Sequence, residues 1–260
     1  MLTSVKHHAA WVAVVVLVGL TVGERVHAQV PDLVTDRPDQ TESPTVVRRG
    51  SFQVETGYLF ARDDGVDLFE VPGTLFRIGL GGRTELRVGY AGVVGSDGRR
   101  GSGDSAIGAK VNLIESPDGW KPELGLLGGL SLPTGREEFS SDGVDPSFLL
   151  AFAHELSPRL SLGYNVGAAW ESLPGAPDRE AFILYSLALG VGLTDRLGGF
   201  VEVFGDWQTT GATATGVSVD GGLTFLSSEA VQIDVFVGSG LRGQTDDLFV
   251  GTGLSFRLPR

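Results

Sequence analysis

From Gly50 to its end the chain alternates large apolar residues with small or polar ones at period two, in twelve runs at about 51–61, 72–80, 84–94, 103–114, 122–132, 145–156, 160–171, 180–193, 197–207, 215–226, 230–240 and 247–258. Period two sends successive side chains to opposite faces of a strand, so the chain is all-β. Each run has roughly the 9–11 residues that a tilted strand needs to cross a bilayer. In the first run Phe52, Val54, Thr56, Tyr58 and Phe60 oppose Gln53, Glu55 and Gly57. In the seventh, Leu160, Leu162, Tyr164, Val166, Ala168 and Trp170 oppose Ser161, Gly163, Asn165, Gly167 and Ala169. The large residues share one face and the glycines gather on the other.

Alternation alone does not say whether the apolar face meets lipid or a second sheet, since a secreted β-sandwich alternates in the same way. The connections favour lipid. After even-numbered runs they are mostly tight, as in Gly81-Gly82-Arg83, Ser157-Pro158-Arg159 and Thr194-Asp195-Arg196, and after odd-numbered runs they are longer and polar, as in 95–102 and 133–144. Short turns at one end and long loops at the other are the pattern of outer-membrane barrels. Phe60, Tyr90, Trp170, Tyr185 and Trp207 fall on the apolar face near its loop-bearing end, where an interfacial aromatic girdle belongs, with Phe52, Phe76, Phe225 and Phe256 as a second band. The expectation is an antiparallel transmembrane β-barrel of about 12 strands over 51–260.

The first 28 residues read as a Sec signal peptide: Lys6, His7 and His8, an apolar run from Ala9 to Val22, then Val26-His27-Ala28. That run falls short of the ~20 residues a spanning helix needs. Residues 29–50 carry Pro31, Pro38 and Pro44 and show neither period, so they read as an extended periplasmic arm. A net charge of −12 argues against nucleic acid as a partner. The absence of cysteine removes disulfides, thiolate metal sites and thiol nucleophiles. Glycine, 39 of 260 residues without a three-residue period, is in excess for an ordinary chain yet not collagenous.

The inward face carries Arg77, Arg87 and Lys110 on the second to fourth runs, and Glu202, Asp206, Asp220 and Asp234 on the ninth to eleventh, with Glu55 on the first. In a closed barrel these groups stand on separate walls. They either set a transverse field along a solute path or pair to fill a narrow lumen. Phe200 and Phe204 also point inward. In the arm, Asp36, Arg37, Asp39 and Glu42 are candidates to plug the lumen by pairing with those walls, against the alternative of a loose tail. Outer-membrane hydrolases need a basic group, and after removal of the signal peptide only His154 remains, on the apolar face. No catalytic set and no cofactor is expected. Asp63-Asp64 and Asp246-Asp247 read as solvated charge, with calcium a weak alternative.

Four stretches carry a family resemblance: the arm from Thr35 to Pro44, Gly50-Ser51-Phe52-Gln53-Val54-Glu55-Thr56-Gly57-Tyr58, Leu130-Ser131-Leu132-Pro133-Thr134-Gly135 and Gly143-Val144-Asp145-Pro146-Ser147. Together they resemble the outer-membrane transporter family named for the meta-pathway of phenol degradation. The last run, alternating from Leu248 to Leu258, resembles the carboxy-terminal signal read by the barrel-assembly machinery, although Pro259-Arg260 follow it. The family resemblance implies an outer-membrane barrel that passes small molecules, with aromatic or organic-acid compounds as candidate solutes. A phenolic solute does not follow from it. The expected partners are outer-membrane lipid, a small-molecule solute and, during biogenesis, the assembly machinery. The rival readings are a structural barrel with a filled lumen and an outer-membrane hydrolase.

Overall fold

A computed structural model describes residues 33–115, 120–173, 178–210 and 215–258. The expected signal peptide, residues 29–32 and Pro259-Arg260 lie outside them. The strands are β1 (Phe52–Asp63), β2 (Val66–Gly79), β3 (Thr84–Tyr90), β4 (Val93–Ser96), β5 (Arg99–Ser102), β6 (Ser105–Ile114), β7 (Glu123–Leu132), β8 (Asp145–Ser157), β9 (Leu160–Glu171), β10 (Glu180–Gly192), β11 (Leu197–Gln208), β12 (Thr215–Ser228), β13 (Val231–Arg242) and β14 (Leu248–Leu258). β1 pairs antiparallel with both β2 and β14, so the sheet closes on itself. Twelve strands form the wall. The short hairpin β4–β5 is an extension carried on the outer half of β2, where Leu68 faces Ser96.

Burial is inverted relative to a water-soluble sandwich. Arg77 and Lys110 are 0% exposed and Asp234 2%, whereas Val235 is 47% exposed and Val237 54%. A continuous band of exposed aliphatic side chains around a charged interior requires an apolar solvent outside. A closed ladder leaves no strand edge unpaired there.

Two expectations about connections change. The stretch 95–102, read as a polar loop, folds into β4–β5 around a turn in which Asp97 and Gly98 both have positive φ. The first connection at the far end is also tight, with Asp64 and Gly65 at positive φ joining strands longer than their runs. The alternation is broken in β2 by a bulge. Gly57 faces Gly73, but Leu59 faces Glu70, so Val71 and Pro72 oppose Tyr58 alone. Pro72, with no N–H to give, suits that irregular position. At the same end the loop 133–144 is tied to the barrel by Asp104, whose carboxylate accepts from the backbone of Gly135 and Ser141 and from the hydroxyls of Ser140 and Ser141.

Candidate functional site

The arm does not hang free of the barrel: residues 33–47 fold back through the lumen as an irregular loop. Such a segment makes no ladder, so its backbone groups need side-chain partners. The wall supplies them. Glu55 accepts from the Asp36 N–H at 2.9 Å, Glu202 from the Gln40 N–H at 2.7 Å and Glu85 from the Val47 N–H at 2.7 Å. Asn165 takes the Glu42 N–H at 2.7 Å and donates to the Glu42 carbonyl at 3.0 Å, as a neighbouring strand would. Thr41 donates to Glu202 and bonds Ser186.

The charged side chains of the arm meet both walls. Asp36 receives Lys110 Nζ at 2.8 Å, lies 3.0 Å from the Arg77 guanidinium and also binds Arg87. Glu42 binds Arg87 at 2.7 Å and lies 3.2 Å from Lys110. On the opposite side Arg37 binds Asp234 at 3.1 Å, with its guanidinium carbon 6.0 Å from the centre of the Phe236 ring. Asp36 and Glu42 thus face the basic wall and Arg37 the acidic one, whereas Asp39 lies by the acidic Glu202 and Asp220 without a basic partner among the described residues.

This changes the reading of one expected group. Glu55 belongs to the basic side, bound to Arg77 at 2.8 Å on the adjacent strand. The basic wall is also neutralised from within by Glu85, which meets Arg77 at 2.9 Å and Arg87 at 3.1 Å. Glu85 was missed, although it shares the parity of Arg87 two residues away. The acidic side keeps its excess: among the described residues no ion pair reaches Glu202, Asp206 or Asp220. Phe204 packs with Phe249 at 6.0 Å, and Phe200 joins the same cluster with Phe236. Phe60, Trp170 and Trp207 lie on the outer face near the end opposite the termini, while Tyr90 and Tyr185, on the same face, sit nearer mid-wall, Tyr90 opposite Thr74 and Tyr185 opposite Val166.

Five of the glycines make room for the arm. Gly57 and Gly253 face each other across the β1–β14 seam, and a Cβ on either would collide with the Arg37 guanidinium. Gly163 sits under Thr41, Gly125 under Pro44 and Gly79 under Val47 and Arg48. Gly253→Val should therefore unseat Arg37 and raise the single-channel current, while the valine itself suits a strand. A current unchanged from wild type would show that the seam glycines do not hold the arm.

The arm carboxyls titrate differently. Burial alone would raise Asp36, but the charges of Arg77, Lys110 and Arg87 hold it well below the usual carboxylate range. Glu42 is pushed up from 4.5 to about 7, by burial and then by the neighbouring Asp36 charge, against the pull of Lys110 and Arg87. A raised carboxyl binds its proton more tightly in the docked arm than in the free one. The docked state therefore loses stability as pH rises from 4.5 to about 7 and is flat above. Asp36 acts oppositely and loses its contribution only when pH falls through its depressed value. Openings recorded in a planar bilayer should be more frequent at pH 8 than at pH 5, and the reverse order would contradict the assignment to Glu42.

His154 lies on the outer face, 3.3 Å from the Tyr164 hydroxyl and packed between that ring and Trp120. At the rim Asp63, Asp64 and Asp247 come together, all exposed.

The family described as "Putative MetA-pathway of phenol degradation" matches residues 35–258, from the arm to the last strand. The chain belongs to this family. Among solved structures it is similar to an outer membrane channel from Pseudomonas putida F1, at 14% identity and a TM-score of 0.64, over 81% of this chain and 96% of that one. It is also similar to the NanC porin, at 12% identity and a TM-score of 0.53, over 79% and 98%. No curated relative matches it by sequence. At such identities the likeness speaks for the fold, the closed barrel of outer-membrane proteins.

Proposed function

We propose that the protein is an outer-membrane channel through which small solutes pass passively, and that the arm is the element that narrows and gates it. The observation that carries this reading is the way the lumen is filled. Its occupant is a polar arm held by ion pairs and hydrogen bonds, with cavities of about 260 Å³ and about 250 Å³ left beside it. A purely structural barrel would close with interdigitated wall side chains. The outward aromatics fit a lipid interface, and export through a Sec signal fits the first 28 residues. His154, stacked on the lipid side and remote from the lumen, supports a protein with no chemistry of its own.

Liposome swelling across sugars, organic acids and small aromatics tests the proposal. The expected result is faster entry of the smallest solutes than into protein-free liposomes. No swelling with any solute would favour the filled structural barrel.

A further inference from the structure

The arm carries its own example of what the acidic wall can hold. Arg37 places a cation between a carboxylate, Asp234, and a phenyl face, Phe236. One strand over the same combination recurs without a cation. Glu202 and Asp220 face each other across β11 and β12, both inward and both buried, at 2% and 5% exposure. Among the described residues neither carboxylate oxygen of Asp220 receives a hydrogen bond from an N–H group or a hydroxyl, and its polar neighbour is the Glu202 carboxyl. The Asp220 side chain and the Phe249 ring share the space over Gly238, while the Phe200 ring and the Cβ of Phe236 approach the space over Gly222. Asp39 of the arm lies close enough to Glu202 and Asp220 that, after burial, their charges push its carboxyl well above the usual range, as in an anionic site lacking its counterion. A cavity of about 250 Å³ opens on the arm side of this pair, lined by Asp39, Gln40, Arg37 and Phe236 but not by Glu202 or Asp220 themselves.

Two adjacent buried carboxylates without a cation are unfavourable, and an ammonium donates to both while its charge is attracted by phenyl faces. We infer that Glu202 and Asp220, with Asp39, bind the cationic group of a small amine whose apolar body lies against Phe200, Phe204 and Phe249. The inference rests on the channel reading and names its preferred solute class.

Calorimetric titration of the purified full chain with benzylammonium at pH 7 tests the site apart from transport. Saturable binding is expected, weakened at least about tenfold in E202Q/D220N. Benzyl alcohol and benzoate should bind no better to the wild type than to the variant. If the double variant fails to fold, Asp39→Asn, outside the strand ladder, should weaken binding about threefold or more. Absent benzylammonium binding, equal binding by the variants, or equal binding of benzoate would overturn the inference. In liposomes, entry of glycerol with no preference for benzylammonium over benzoate would overturn it while leaving the channel reading intact. Benzylammonium binding without swelling by any solute would support the site and remove the channel.

Discussion

Deleting residues 29–48 should raise single-channel conductance several-fold, because a twelve-stranded wall without its occupant encloses a wider aqueous path. The barrel itself should survive the deletion. Its seam between β1 and β14 and its other strand pairings do not involve the arm. Arg77 would keep Glu55 and Glu85, both on the wall, while Lys110, whose ion pairs run to Asp36 and Glu42, would face water instead. Conductance measured on the deleted and full-length proteins, with far-UV circular dichroism as the folding control, decides the matter. Equal conductance would mean that the arm does not limit the path.

The second large effect belongs to Asp36. Its carboxylate is shared by Arg77, Arg87 and Lys110 in a buried setting, and Asp36→Asn removes the charge while nearly preserving the shape. Breaking a buried pair from one side costs about 3–5 kcal/mol, since it strands the remaining charges. A docked arm held by a handful of such contacts would then spend much of its time undocked. The expected record is frequent transitions to the level that the deletion shows continuously, together with faster proteolysis of the arm. A variant as quiet as wild type would place the latch elsewhere, with Arg37 and Asp234 the next pair to test.

The strands and their faces were legible because period two survives wherever the ladder is regular. It failed at β2, where the bulge opposite Tyr58 shifts parity and Pro72 interrupts the pattern, so residues 66–70 read as loop although they pair with β1. It failed again at β4–β5, because 95–102 carries no large apolar residue, although Val93–Ser96 pair with Leu68–Val71 of the wall strand β2. The charged inward residues were found by parity, but their partners were not. A segment without regular structure has no period, so neither the path of the arm nor the joining of Glu55 to Arg77 could be read from spacing. The glycines showed the same limit: parity placed them on the inner face, and only the folded arm explains why Gly57, Gly125, Gly163 and Gly253 leave their space empty.

The seat of Arg37 has two owners. Gly57 belongs to the first strand of the wall, and Gly253, with Asp234 next along the sheet, to the last two. The two halves are far apart in sequence and become one surface only when the first and last strands meet. A chain still open at its seam offers Arg37 only half of that seat. A seated arm is therefore also a report that the cylinder has been completed, written in the same guanidinium that binds Asp234.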